Sequence, residues 1–533
     1  MQQLSGLDNA FLLMEAGGQL GHVASLIVFD TEGLGGRSFR DVMEEMFENR
    51  LPQLPPYRRR LVEVPFDLDR PYWIDDPDFD LDFHLRHIAV PPPGDDQQLS
   101  ELVARIHARP LDRSRPLWEV YVIEGLANGR IALYTKIHHC TIDGASGTEL
   151  MRVLLDQTPY PTPAPSGAVE PFSPEQVPPS LQMFARGLVG VLWTPARLAG
   201  TVFRTGRSLW QSSEALGAVA QSIGLDQLPI VGGWLKSQAP QVDADPIPQT
   251  PAPRTPFNRS ITAHRRFAFF SLPLADFKHV KDAFETTLND VVMAVSGGAL
   301  RRYLEEKDAL PNEPLKAMVP VSVRSESQMR DYTNRVTQVV AELATEIPDP
   351  VARLRRIHTA MKTAKRMQKA TPAALLTDWS EVATPALLAQ AARIAARTKV
   401  MDRLNPPFNV IISNVPGPRE PLYCGGAEMQ TYYPVSAIAD GQGLNITVTS
   451  YRDHLDFGLI ACRELVPDVW SFKDLFAEAL EELVKAAERA PTPKRTARRP
   501  TESAVAQRGE AERRPEPERE RAASAKARQD EGS

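Results

Sequence analysis

Cysteine is scarce in this chain, and the few cysteines present do not form a recognisable pattern. The 533 residues include three cysteines, Cys140, Cys424 and Cys462, with no CxxC pair. This spacing supports neither a disulfide framework nor a thiolate zinc site, and it favours a reducing compartment. An excess of positive charge is also missing, because the formal net charge at pH 7 is -6. The chain therefore has no global basic field that would hold nucleic acid.

Long uncharged hydrophobic runs are absent as well. The N-terminus MQQLSGLDNAFLLMEAGG lacks a basic region and carries Asp8 and Glu15, so it is unlike a signal peptide. Arginines interrupt the segment LQMFARGLVGVLWTPARLAGTVFRTGRSLW before it reaches the roughly 20 apolar residues of a spanning helix. We therefore predict a cytoplasmic protein without a transmembrane span.

Length and proline content predict the domain organisation. Residues 1–157 and 261–490 each alternate strand-like and helix-like patterns, which predicts two α/β domains. Proline-rich stretches bracket residues 158–260, which are predicted to be a linker. Residues 491–533 contain mixed charges and almost no large apolar side chain, so a disordered tail is predicted there.

The linker contains an amphipathic segment. At about 100° per residue, its arginines fall on one face and its large apolar residues on the other. The arginines are Arg186, Arg197, Arg204 and Arg207, and the apolar residues are Phe184, Leu188, Val191, Leu198, Val202 and Leu209. Such a segment either packs on its own protein or lies on a membrane or lipid-droplet surface.

The stretch TKIHHCTIDGASGTEL, residues 135–150, is the main candidate for a catalytic site. Side chains alternate along the predicted strand, so His138 and His139 lie on opposite faces and cannot share a metal ion. His139 shares the apolar face, where an imidazole suits general-base work on a hydroxyl. Cys140 points away from His139 and is a poor candidate for a nucleophile.

A structural interpretation of the same stretch stays open at this point. Asp143 and Gly144 precede an apolar-periodic segment, TELMRVLLDQ, and an Asp-Gly pair there commonly caps a helix and forms its turn. A histidine at a strand end can equally be a hydrogen-bonded structural group. The stretch by itself does not decide between catalysis and structure.

The string HHCTIDG fits the HHxxxDG pattern, and the chain resembles the bacterial wax ester synthase/diacylglycerol acyltransferase family of CoA-dependent acyltransferases. Other blocks of that family follow in the same order. They are the opening LSGLDNAFLLMEAGGQLGHVASLIVFD, PLW at residues 116–118, the Asn-Asp pair in TLNDVVMAVSGGALRRYL, MVPVSVR with NRV, and NVIISNVPGP. The resemblance covers roughly residues 1 to 485 and leaves the tail outside.

The resemblance implies an α/β fold of two chloramphenicol-acetyltransferase-like domains with mixed sheets. A long crossover linker would join them, and an active-site channel would lie at their interface. His139 would be the general base, supported by His138, while Asp143 would order the loop through a salt bridge and Gly144 would form the turn. Acyl-CoA would be a co-substrate, no covalent intermediate would form, and neither a cofactor nor a metal is expected.

Five further residues are substrate-site candidates. A helix starting near Leu288 would place Asn289 in its first turn, where it could stabilise the oxyanion, although Asn289 and Asp290 could instead only cap the helix. Trp118, Ser413 and Asn414 are candidates for an acyl or CoA channel. Core packing is the structural alternative for Trp118, and a strand leaving its sheet is the alternative for the other two.

The acceptor alcohol is the main open question. The leading hypothesis is an acyl-CoA:diacylglycerol O-acyltransferase that forms triacylglycerol. The alternatives are a wax ester synthase that uses a fatty alcohol, an enzyme for a small polar or carrier-bound acceptor, and a catalytically silent lipid-droplet binding protein. Peripheral association with the inner face of the plasma membrane or with lipid droplets is expected.

Overall fold

The computed structural model describes residues 1–15, 18–141, 151–160, 174–190, 251–322, 336–370, 390, 393–394 and 396–490. The tail and most of the predicted linker lie outside these ranges. The boundaries predicted for the domains, the linker and the tail therefore stay predictions.

The described strands and helices follow the hydrophobic patterns of the sequence. The strands are β1 Gln2–Gln3, β2 His22–Asp30, β3 Arg59–Val62, β4 Tyr72–Asp75, β5 Leu85–Ala89, β6 Trp118–Glu124, β7 Ile131–His138, β8 Arg265–Pro273, β9 Lys316–Ser322, β10 Val336–Glu342, β11 Val410–Val415, β12 Tyr423–Cys424, β13 Ala427–Val435, β14 Leu444–Tyr451 and β15 His454–Cys462. The helices are α1 Gly6–Leu13, α2 Phe39–Arg50, α3 Pro55–Arg58, α4 Leu81–His84, α5 Asp96–His107, α6 at residues 180–190, α7 Leu274–Ala283, α8 Leu288–Glu306, α9 Pro350–Ala370 and α10 Phe472–Arg489.

Two six-stranded mixed sheets organise the described residues. The N-terminal sheet has the order β12-β13-β2-β7-β6-β5, and the C-terminal sheet has the order β10-β9-β11-β14-β15-β8. Strand β5 runs parallel to β6, and β11 runs parallel to both β9 and β14, whereas the other pairs are antiparallel. A small third sheet, β1-β4-β3, accompanies them. The mixed sheets predicted from the sequence are confirmed.

The C-terminal half of the chain completes the N-terminal sheet. Strand β13 pairs antiparallel with β2, with Glu428 opposite Asp30 and Val435 opposite Ala24. This pairing makes β2 an interior strand of the sheet, which therefore needs residues from both halves of the chain. The strand patterns did not predict it, because β13 has an ordinary strand sequence that does not identify its partner.

The two sheets meet at strand β15. The buried carboxylate of Asp456 accepts a hydrogen bond of 2.7 Å from the amide of Tyr432 in β13 and one of 2.6 Å from the hydroxyl of Ser271 in β8. Gly458 leaves room for the carbonyl of Pro434, which a Cβ atom at that position would overlap. The sheets can therefore approach closely only where the side chain is absent.

Helix α6 packs on the small sheet. Met183 is buried in an apolar cluster with Val62, Val64 and Ile74, and Gly187 brings the helix backbone close to Val64. The amphipathic segment therefore packs on its own protein over its described part; its remaining predicted positions lie outside the described residues. Among the described helices, none combines the length and apolarity needed to cross a bilayer.

Candidate active site

Strand β7 carries the histidine pair to one end of the N-terminal sheet. Its side chains alternate as predicted: Leu133 and Ile137 belong to the apolar cluster on one face, and Tyr134 belongs to the cluster on the other. His138 is the last residue of the strand, and His139 is the first residue of the turn that follows. The strand therefore ends one residue earlier than the sequence pattern predicts, and the direction of the His139 side chain is set by the turn and not by strand alternation.

The His138 ring is buried and hydrogen-bonded at both nitrogens. Its Nδ1 accepts the amide hydrogen of Cys140 at 3.1 Å, and its Nε2 lies 3.2 Å from Oε1 of Glu15. Because Nδ1 accepts, the ring proton is on Nε2, and Nε2 donates to the carboxylate. His138 thus ties the backbone of the turn to a fixed anion.

Glu15 is the centre of a partly buried polar network. Its Oε1 also accepts the Gly21 amide at 2.8 Å, and its Oε2 accepts a 2.7 Å bond from Arg113, which in turn donates to the carbonyl of Leu12 at the end of α1. Burial by itself would raise the pKa of Glu15, but the bonds from His138 and Arg113 outweigh it and lower the pKa to about 2. Glu15 is therefore a permanent carboxylate at neutral pH.

His139 lies beside helix α1. Its ring stacks on the ring of Phe11 with the centroids 4.2 Å apart and the planes 9° from parallel. Its backbone amide donates a 2.8 Å hydrogen bond to the carbonyl of Gly21, and its side chain is half-buried. One face of the His139 ring is thus covered by the aromatic ring of Phe11.

The PLW block lies directly beside the histidines. The amide of His138 donates a 2.9 Å hydrogen bond to the carbonyl of Leu117. Trp118 is 1% exposed, donates its indole hydrogen to the carbonyl of Tyr57 and stacks on His84. These contacts describe a core residue that supports β6, and the channel role of Trp118 stays a prediction.

The Asn-Asp pair begins helix α8. Thr287 caps the helix, and Asp290 accepts the Thr287 amide at 3.0 Å, so the two residues form a capping box. The same carboxylate oxygen lies 2.7 Å from Nδ1 of His358 in α9. Asp290 therefore caps the helix, as the structural alternative proposed. Asn289 is half-buried in the first turn, as predicted, and its catalytic role stays a prediction.

Ser413 and Asn414 lie near the end of β11. The strand ends at Val415, directly before Pro416, as the sequence pattern predicts. Both side chains are half-buried and lie in the C-terminal sheet, whereas the histidines lie at the end of the N-terminal sheet. Their channel role stays a prediction.

Two chemical alternatives, a cysteine nucleophile and a metal site, can be compared with the described residues. Burial raises the pKa of the Cys140 thiol well above its ordinary value, which disfavours the thiolate that a nucleophile needs. Within the described ranges, no group of three histidine, cysteine or acidic side chains could hold a metal ion. Asp143 and Gly144 lie outside the described residues.

Three residues at this site, Phe11, Glu15 and Arg113, are not predicted as site residues by the sequence motifs. The opening block LSGLDNAFLLMEAGG contains two of them, four positions apart and so on one side of a helix. That spacing was the available signal. Nothing in the sequence indicated that this side would face the histidine pair, since the contact joins segments more than 120 residues apart.

Comparisons with known proteins identify the family. The wax ester synthase/diacylglycerol acyltransferase catalytic domain matches residues 4–292, and the C-terminal domain of the same family matches residues 332–484. Two mixed sheets with this histidine pair define a chloramphenicol-acetyltransferase-like acyltransferase, as predicted. The chain belongs to the wax ester synthase/diacylglycerol acyltransferase family and is an O-acyltransferase.

Individual relatives span nearly the whole chain. The Mycobacterium tuberculosis protein named probable diacylglycerol O-acyltransferase tgs2 is 35% identical over 90% of this chain and 98% of its own length. Another protein of that organism, Rv3740c, is also provisionally named a diacylglycerol O-acyltransferase. It is 38% identical over 91% of this chain and 99% of its own length.

Solved structures agree with the fold. The wax ester synthase/diacylglycerol acyltransferase from Marinobacter aquaeolei VT8 is similar with a TM-score of 0.61 and 30% identity, covering 91% of this chain and 100% of that one. The first condensation domain of the calcium-dependent antibiotic synthetase, at 16% identity and a TM-score of 0.53, covers 92% of this chain and 98% of its own. At that identity it shows the fold alone.

Proposed function

We propose that this O-acyltransferase transfers the acyl group of acyl-CoA to diacylglycerol and so forms triacylglycerol. The observation that carries the proposal is the HHxxxDG histidine His139, half-buried at the end of β7, in a chain similar over nearly its whole length to proteins named diacylglycerol O-acyltransferases. The acceptor in this chemistry must present a hydroxyl, and diacylglycerol presents one on a long apolar body.

His139 acts as the general base in the proposed reaction. It takes the proton from the acceptor hydroxyl while the oxygen attacks the thioester carbonyl, and a tetrahedral intermediate forms without a covalent bond to the enzyme. Collapse of the intermediate breaks the carbon–sulfur bond, and the CoA sulfur leaves with the proton held by His139. We assign stabilisation of the oxyanion to Asn289 with the first turn of α8, where backbone amides lack intrahelical partners. No cofactor enters this sequence of steps.

Incubation with labelled palmitoyl-CoA tests the reaction. Purified protein receives either dioleoylglycerol or hexadecanol, and we expect more triacylglycerol than wax ester. His139→Ala should lower ester formation by about 10²-fold or more, which is the contribution expected of a general base. His279→Ala, at an exposed position on α7, is the matched control and should keep full activity.

The outcomes separate the hypotheses. If wax ester is the main product, the protein is a wax ester synthase and the proposed preference for diacylglycerol is wrong. No ester with either alcohol would leave two alternatives, an enzyme for a small polar or carrier-bound acceptor and a silent lipid-droplet binding protein. Full activity of His139→Ala would refute His139 as the general base.

We also propose that α6 docks the protein on a lipid surface, where diacylglycerol resides. Leu181, Leu188 and Val189 lie on the face of α6 opposite its buried side and are 78%, 45% and 53% exposed. Phe66, 80% exposed in a turn with a φ of 62°, lies against Phe184 of the same helix. Large apolar side chains concentrated in this way mark an interaction surface.

Flotation with vesicles tests the docking surface. Vesicles of phosphatidylcholine and phosphatidylglycerol should carry the wild-type protein upward in a density gradient, and Leu188→Glu should lower the bound fraction severalfold. Val340→Glu is the matched control, because Val340 is also 45% exposed but lies on β10 in the C-terminal sheet, outside α6. Equal vesicle binding of both variants and the wild type would refute α6 as the docking surface.

A further inference from the structure

His138, His139 and Cys140, the last residue of β7 and the two after it, all lie beside the same N-terminal segment, which consists of α1 and the residues directly after it. Phe11 stacks on His139, Glu15 accepts from His138, and Leu12 belongs to the apolar cluster that contains Cys140. Apolar packing of this third kind would be enough for a helix that only covered the edge of the sheet. The other two reach the histidine pair itself.

The stack on His139 restrains the ring in a particular way. Parallel rings at 4.2 Å are in contact across their faces, so rotation of the imidazole out of plane would break the contact with Phe11. The contact itself engages neither ring nitrogen. It therefore fixes the orientation of the imidazole without using the atoms that exchange a proton.

The second contact fixes the backbone that carries the ring. The Glu15 carboxylate accepts hydrogen bonds from Nε2 of His138 and from the amide of Gly21. The carbonyl of Gly21 in turn accepts a hydrogen bond from the amide of His139. Arg113 holds Glu15 and the last turn of α1 together. The position of the helix and that of the turn are thus set by one hydrogen-bonded network.

We propose that helix α1 and the residues directly after it position the general base, with Phe11 orienting the His139 ring and Glu15 anchoring its turn through His138. The inference rests on the proposed role of His139. Phe11 and Glu15 are positioning residues, because they act on the reaction through the histidines. Correct orientation of a base is worth a large factor in rate, since small misplacements of a reacting group are costly.

Phe11→Leu removes the aromatic face and keeps an apolar side chain. We expect kcat to fall by about tenfold while KM for acyl-CoA changes by less than about twofold, because the geometry of the base is altered and substrate binding is not. Phe11→Tyr restores the ring and should recover kcat to within about threefold of wild type. Leu4→Val is the matched control: it removes one methylene group from the apolar cluster that contains Cys140, but it lies outside α1 and its hydrogen-bonded network, and its kcat should stay near wild type.

Variants of Glu15 provide the second part of the test. Glu15→Gln keeps an oxygen that can accept from His138 and Gly21, so its kcat should lie between those of the wild type and Glu15→Ala. Should Glu15→Ala fail to fold because Arg113 loses its partner, the ratio of Glu15→Gln to wild type and the Phe11 series still test the proposal.

The results distinguish the inference from the function beneath it. If His139→Ala is inactive and Phe11→Leu keeps the wild-type kcat, the positioning role is refuted and the proposed base survives. The positioning role is also refuted if Leu4→Val loses as much kcat as Phe11→Leu, since a general loss of packing would then explain both. Full activity of His139→Ala would refute His139 as the general base, and the positioning role would be refuted with it.

Discussion

The pH dependence of stability gives a direct test of the Glu15 network. The folded protein lowers the pKa of Glu15 from 4.5 to about 2, and its side chain is only 13% exposed. At about 1.4 kcal/mol per pH unit of pKa difference, the charged carboxylate stabilises the fold by about 3 kcal/mol at neutral pH. Replacing Glu15 by Gln removes this titration and retains the shape of the side chain.

The sign follows from the direction of the pKa change. Because the folded protein binds the Glu15 proton less tightly than the unfolded chain, the stabilisation is fully present above about pH 5 and is lost as the pH falls toward 2. The difference in free energy of unfolding between wild type and Glu15→Gln should therefore shrink by about 1 kcal/mol between pH 7 and pH 3.5.

Urea unfolding at the two pH values measures this difference. Glu63→Gln is the matched control, since Glu63 lies 3.5 Å from the same Arg113 but is 59% exposed, and its removal should cost less than about 1 kcal/mol. A wild-type advantage over Glu15→Gln that is the same at both pH values would refute the network as described.

Three other predictions follow from close contacts and buried groups. Gly21→Ala should displace His138 from Glu15 and lower turnover at least tenfold, because the new Cβ would lie 2.6 Å from Nε2; ester formation and a thermal melt measure it. Gly458→Ala should give little folded protein in a solubility assay, because its Cβ would overlap the Pro434 carbonyl in the joint between the sheets. Cys140→Ala should keep most ester formation, and mass spectrometry should find the native thiol unmodified by iodoacetamide at pH 7, because the group is buried with a raised pKa.

Local patterns predicted most of the elements. The apolar run in HVASLIVFD is typical of a strand buried on both faces and coincides with β2 over its full length, and the helical periodicity of SFRDVMEEMFENRL coincides with α2 within one residue at each end. These signals are local, since each side chain only has to face its own layer. The motif HHCTIDG likewise identified the family, which the comparisons confirm.

Long-range partners were not predictable in the same way. Arg113 carries no motif, and its place beside Glu15 depends on where a loop meets α1. The pairing of β13 with β2 joins the two halves of the chain, and an alternating pattern is equally compatible with any open strand edge. Such contacts are decided by packing of the whole chain and leave little trace in a short window of sequence.

The shared sheet has a consequence for synthesis of the chain. One edge of β2 pairs with β7, but the partner on its other edge is β13, roughly 400 residues later, and at about 5–20 residues per second the ribosome needs on the order of 20–80 s to produce it. During that time the edge of β2 is an open template for another strand. The nascent N-terminal half therefore depends on chaperones or on rapid completion, and its expression without the later half should yield aggregates.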